Sequence, residues 1–171
     1  LPAWDNITGQ MAATSVLAAE RHRSRTGEGQ LVRLALKDVA LATAGHLGNL
    51  AEIEINDSDR HKAGNFLYGA FGKDFVTVDG RRVMIVGLTP KQWQALVTVT
   101  DSTNEMDAIA TRTNLDLSEE GARFAARHEI ASVLAPWFEV RPYHQVADLL
   151  TKAGVCFGPY QSFRHLLSED S

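Results

Sequence analysis

Asp5 is the first side chain whose setting suggests chemistry: a carboxylate in Trp4-Asp5-Asn6-Ile7-Thr8-Gly9, just ahead of a run with helical spacing. Such an aspartate has two readings. It caps the helix by accepting hydrogen bonds from the first amides, or it is an ionised nucleophile beside a helix N-terminus. The residues alone leave both open. Cys156, the only cysteine, offers a second nucleophile, but no partner for it is readable, and a small buried thiol is expected. The six histidines (His22, His46, His61, His128, His144, His165) form no metal-binding spacing. Asp57-Ser58-Asp59 with His61 comes nearest, and reads as a solvated turn because the later ligands and glycine of a calcium loop are missing. No metal is expected. Gly27-Glu28-Gly29 begins like a dinucleotide fingerprint, but Val32 stands where its third glycine belongs and the glycines follow a helix, so a nicotinamide or flavin site is set aside. Arg21, His22, Arg23 and Arg25 suit the C-terminal end of a helix dipole, although they also have the charge to clamp a phosphate.

The elements that must position these groups follow from periodicity. Gly9, Ala12, Ala13, Val16 and Ala19 give a small-residue face to a helix from Thr8 to about Arg25, closed by Gly27. Leu31 to Leu36 reads as a short buried strand, and Asp38 as the cap of a helix that runs on until Asn56-Asp57-Ser58-Asp59. The aromatics Phe66, Tyr68, Phe71 and Phe75 lead into Val76-Thr77-Val78, then Asp79-Gly80, then Val83-Met84-Ile85-Val86. That pattern predicts a β-hairpin with both central residues at positive φ. Thr89-Pro90 opens a helix that buries Trp93, Leu96 and Val97. Ser118 opens another, with Ala126, Ile130, Val133, Leu134 and Trp137 on its apolar face and Phe124 off it. Pro142 starts a third, with Val146, Leu149, Leu150 and Ala153 inward. Gly154 to Gln161 reads as a turn and strand before a last helical piece.

The 171 residues suffice for one domain, or for a small domain with part of another. A 44% hydrophobic and 22% charged composition is globular. The net charge of -4, from 21 acidic and 17 basic residues spread along the chain, gives no basic field for nucleic acid or anionic lipid. No apolar stretch spans a bilayer, and one cysteine fits a reducing compartment, so a cytoplasmic protein is expected. Opening on Leu1 and stopping at Ser171, the chain reads as cut from a longer protein.

The ordered set Asp5-x-x-x-Gly9, a small-residue helix, Arg23-x-x-Thr26-Gly27-x-Gly29-Gln30 and Leu36-x-Asp38-x-Ala40 resembles the family III CoA-transferases. The resemblance continues through Gly64-Asn65, Tyr68-Gly69-Ala70-Phe71, Asp79-Gly80, Trp93, Gly154-Val155 and Gly158-Pro159, and so covers nearly the whole chain. Cys156-Phe157 and Tyr160 to Phe163 depart from the common pattern. With the Leu1-Pro2-Ala3-Trp4-Asp5 opening, they look most like the 2-methylfumaryl-CoA isomerases of the family, which move CoA between the two carboxylates of mesaconate.

The resemblance implies an α/β protein in which residues 1–37 belong to a large CoA-binding domain, 38–61 to a connector, and 62–171 to a small domain with a hairpin flanked by helices. It puts Asp5 on the family's nucleophilic aspartate, which becomes an aspartyl-CoA thioester during transfer. It also implies an acyl-CoA substrate with no permanently bound cofactor, and an interlocked homodimer. Asn65, Tyr68 and Phe71 are candidates for the acyl pocket, although an aromatic strand packed in the small-domain core accounts for the last two equally well. Racemisation of 2-methylacyl-CoA is the alternative within the family, and a non-catalytic interaction domain the alternative outside it. The polypeptide by itself is expected to lack turnover.

Overall fold

The computed structural model describes residues 2–169. The chain divides into two compact units, one up to His61 and one from Lys62.

The first unit holds three helices among its described residues: α1 (Ala3–Thr26), α2 (Leu36–His46) and α3 (Asn49–Asn56). α1 starts at Ala3, not at Thr8, because Pro2 occupies the N-cap position with φ -75° and needs no amide partner there. Asp5 is therefore the third helical residue, not the cap. The other end follows the sequence, with Arg23 and Arg25 in the last turn and Gly27 at φ 79°, its amide donating to the Arg23 carbonyl at 2.8 Å.

The strand expected over Leu31–Leu36 does not form. Residues 28–35 are neither helix nor strand, Leu31, Val32 and Leu34 are exposed, and α2 already begins at Leu36. A strand exists only as part of a ladder, and among the described residues this unit has no second strand to supply amide partners. The single helix expected from Asp38 to Asn56 is likewise two. Gly48 interrupts it at φ 81°, a conformation glycine adopts without steric cost, and Ala35, not Asp38, stands at the N-cap. The predicted stop at Asn56 holds, with Asp57 at φ 49°.

The second unit is a mixed α/β fold built on a three-stranded antiparallel sheet, β1 (Phe71–Val76), β2 (Arg82–Gly87) and β3 (Cys156–Tyr160), with β2 central. The predicted hairpin is present, but its turn differs from the expected form. Thr77 and Arg81 close a three-residue loop, Gly80 N–H donates to Thr77 O at 2.8 Å, and of the two central residues only Gly80, at φ 76°, is left-handed. This is the turn-plus-glycine-bulge loop, which adds one residue to the two-residue hairpin expected from Asp79-Gly80.

Register pairs Phe75 with Val83 and Phe71 with Gly87, so Phe71, Phe75, Val83 and Ile85 share the face that carries the core. Over that face lie α4 (Pro90–Val99), α7 (Arg127–Glu139) and α8 (Tyr143–Ala153). Phe75 stacks on Phe138 with ring centroids 4.4 Å apart, and Phe71 meets Trp93 edge-on at 5.8 Å. Thr89 caps α4 in a reciprocal capping box with Gln92, as its position before Pro90 predicts.

The helix expected from Ser118 is broken at Ala126 into α6 (Glu120–Ala125) and α7, which explains why Phe124 lies off the apolar face of the rest. α5 (Thr103–Thr113) was not legible, because in a polar segment only Met106 and Ile109 are buried. In α8, Val146 and Leu150 are buried, Leu149 is half-buried and Ala153 is exposed, so the inward stripe is narrower than expected. β3 and α9 (Phe163–Glu169) match the reading of the tail. Cys156, expected buried, is exposed, since β3 presents it on the face of the sheet opposite the core.

Candidate functional site

In the first unit, Asp5 sits in the opening turn of α1 with its side chain exposed, between exposed Trp4 and Asn6. Toward the other end of α1, Val16, Ala19, Glu20 and Arg23 form a groove of about 370 Å³ with Gly29, Gln30 and Val32. The Arg23-to-Gln30 motif thus folds back along the helix that Asp5 opens.

In the second unit, Asn65, Tyr68 and Phe71 fall on and just before β1, in three different environments. Phe71 has no exposed surface and belongs to the core beside Trp93. Tyr68 is 46% exposed and meets Phe124 edge-on at 5.0 Å. Asn65 is exposed, and its Nδ2 donates to Asp74 Oδ1 at 3.2 Å. Of the three, Asn65 and Tyr68 are therefore surface residues and Phe71 is a core residue.

Sequence reasoning missed Asp74. It lies on the face of the sheet opposite the core and is nonetheless buried, at 5% exposure, where it pairs with Arg82. Burial pushes its carboxyl upward, but hydrogen bonds from Asn65 and Arg82 and the Arg82 charge outweigh that and hold it below its ordinary value. The signal was in the register: with the loop at Gly80, Asp74 and Arg82 become diagonal neighbours of opposite charge on adjacent strands. Elsewhere, the Arg127 guanidinium covers the Phe124 ring at 4.2 Å and donates to Phe124 O at 2.8 Å, which steadies the ring that Tyr68 meets. Asp79, at the hairpin loop, accepts from the Thr77 hydroxyl and from the Tyr143 amide, which ties the loop to the start of α8.

Among the described residues, no group of three or more His, Cys, Asp or Glu is placed to hold a metal ion, and no helix is long and apolar enough to cross a membrane.

The sequence model of CoA-transferase family III matches residues 1–171. The chain belongs to this family. It is therefore part of an enzyme family, and the family III motifs fall on the opening turn and end of α1, the start of α2 and the segment before β1. The chain is 55% identical over 170 residues to a 2-methylfumaryl-CoA isomerase of Chloroflexus aurantiacus, covering 99% of this chain and 42% of that protein. It is 27% identical over 147 residues to a succinyl-CoA:mesaconate CoA-transferase of Haloarcula marismortui, covering 85% of this chain and 34% of the other. It thus spans only about two fifths or less of the length of these family III relatives. Solved structures share the fold. A CAIB/BAIF family protein from Brucella suis superposes with TM-score 0.71 at 20% identity, covering 99% of this chain and 43% of that one. A hypothetical protein from Mycobacterium tuberculosis, Rv3272, gives 0.70 at 20% identity, covering 100% and 44%.

Proposed function

We propose that this chain serves CoA transfer between carboxylates through an aspartyl-CoA intermediate at Asp5, and that the substrate is mesaconyl-CoA, with CoA moving between the two carboxylates of one acyl group. What carries the proposal is the 55% identity to a protein named for that isomerisation, over a chain in which Asp5 is exposed at a helix start.

The chemistry suits the residue. The Asp5 carboxylate attacks the thioester carbonyl and expels CoA thiolate, leaving a mixed anhydride. The thiolate attacks the aspartyl carbonyl, which forms the aspartyl-CoA thioester and releases the acyl group as a dicarboxylate. Its other carboxylate attacks the aspartyl thioester, expelling thiolate again and forming a second anhydride. Thiolate then attacks the acyl carbonyl of that anhydride, yielding the isomeric thioester and the Asp5 carboxylate. No proton is gained or lost over the cycle, and one difficult exchange becomes four acyl transfers.

In this reading Asn65 and Tyr68 contribute to the acyl pocket and Phe71 supports them from the core. Residues 1–37 belong to the large CoA-binding domain, 38–61 form the connector and 62–171 the small domain. CoA enters only as substrate, the working protein is an interlocked homodimer, and it acts in the cytoplasm.

The test, made on a full-length family III protein that carries this chain, is turnover of mesaconyl-CoA carrying ¹³C at one carboxyl, followed by NMR, with hydroxylamine added to trap acylated Asp5 as a hydroxamate located by peptide mass spectrometry. Transfer of the thioester to the second carboxyl, with the hydroxamate on Asp5 and both lost in Asp5→Asn, is the expected result. Turnover that survives in Asp5→Asn, or deuterium uptake at the α-carbon of a 2-methylacyl-CoA in heavy water without transfer, overturns it.

A further inference from the structure

We infer that Asp74 is a positioning residue for substrate: a buried carboxylate on β1 that orients the exposed Asn65 amide at the start of the segment from Asn65 to Tyr68. The inference rests on the proposed acyl-pocket role of Asn65 and Tyr68, and deepens it.

The segment is bracketed by two left-handed glycines, Gly64 at φ 60° and Gly69 at φ 81°. Phe66 anchors it to the core side, edge-on to the His128 ring at 4.8 Å and under the Lys73 ammonium at 4.6 Å, with its N–H donating to Ala63 O at 3.2 Å. Leu67 N–H donates to Gly72 O at 2.8 Å, and Leu67 lies so close to β1 that a Cβ on Gly72 would stand 2.8 Å from the Leu67 Cβ. Tyr68 rests on Phe124. Asn65 is tied by its side chain to Asp74.

Asp74 is an unusual residue for that place. Covering a sheet face requires only an apolar side chain, whereas a buried carboxylate loses hydration that its partners must replace. Arg82 replaces part of it from the diagonal position on β2. The remaining acceptor capacity is directed at Asn65, with a definite consequence. An ionised carboxylate only accepts hydrogen bonds, so the amide nitrogen of Asn65 must face it and the amide oxygen must turn away. Asp74 thereby selects which end of an exposed amide is presented outward. An apolar residue at position 74 would cover the sheet without making that choice.

Hydrogen–deuterium exchange of residues 64–69, read by mass spectrometry, and steady-state kinetics with mesaconyl-CoA test this together, both in a full-length family III protein that carries this chain. Asn65→Ala, at an exposed position, preserves the fold and is the primary variant, with Asp74→Ala and Asp74→Asn beside it. Asn65→Ala and Asp74→Ala are expected to raise exchange in the segment about tenfold while β1 and β2 stay protected. Asp74→Asn, which keeps an acceptor for Asn65, should remain within about threefold of the parent. Asp74→Ala should raise KM about tenfold with kcat within about twofold, and should add nothing further to kcat/KM in the Asn65→Ala background. Unchanged exchange in Asn65→Ala, or additive kinetic effects of the two substitutions, overturns the inference. Loosened exchange with unchanged KM in every variant instead overturns the acyl-pocket role of the segment and leaves the tether standing.

Discussion

Arg123 has no exposed surface, and its guanidinium donates to three backbone carbonyls, those of Leu117 at 2.9 Å, Ser118 at 2.7 Å and Leu88 at 2.7 Å, while lying over the Trp93 ring at 5.5 Å. Burial pulls its pKa down, and the charges of Glu120 and Glu119 oppose that. One side chain thus joins the residue before the α4 cap to the loop before α6. Arg123→Met leaves those carbonyls without their donors, and a loss of about 1–3 kcal/mol is expected in urea denaturation. Arg123→Lys recovers little, because an ammonium cannot reproduce the planar fork. Asp74 makes the complementary prediction in acid. Its folded pKa lies below the ordinary 3.8, so the stability it contributes is fully present above that value and is lost as pH falls from there through the folded pKa. An acid titration followed by circular dichroism should show a shallower loss of stability below pH 3.8 in Asp74→Asn than in the parent.

α4 is set by its first turn before any packing. The Thr89 hydroxyl accepts from Gln92 N–H at 3.2 Å and the Gln92 side chain accepts from Thr89 N–H at 3.0 Å, so two amides at the helix start are satisfied locally. Trp93, Leu96 and Val97 then follow on one face, all buried. Thr89→Ala should cost about 1 kcal/mol by thermal or urea denaturation, with the fold intact. The contrast with α1 is physical. α1 has 24 residues and not one is buried, so its small-residue face, legible in the sequence, stays open apart from the groove where Val16 and Ala19 meet Gly29, Gln30 and Val32. Helix formation there follows from composition and caps, whereas α4 adds a packed face.

At the scale of the molecule, the buried core cluster lies wholly in the second unit, from Phe71 to Val155. The first unit instead exposes Leu31, Leu47, Leu50, Ile53 and Ile55. A surface so apolar is uncommon on a self-sufficient domain. Expressed separately, residues 62–169 should give dispersed amide NMR signals and one cooperative urea transition, because the core and all three strands are theirs. Residues 2–61 should give helical circular dichroism without a sharp transition, or associate, which sedimentation velocity would reveal.

The sequence by itself determined what is local. The Thr89-Pro90 start, the Gly27 stop, the break after Asn56 and the Asp79-Gly80 hairpin all depend on neighbours within a few residues, so they were legible from residue types. The ordered family III motifs were legible too, and with them Asp5 as the residue to test. Tertiary structure decided whatever needs a distant partner. The apolar run at Leu31 forms no strand without a neighbour to pair with, and Phe71 proves to be core. Asp74 acquires its significance only when the hairpin register brings Arg82 diagonal to it and the chain folds Asn65 back onto it. A carboxylate's role is fixed by the donors that surround it, and those at Asp74 come from eight and nine residues away along the chain.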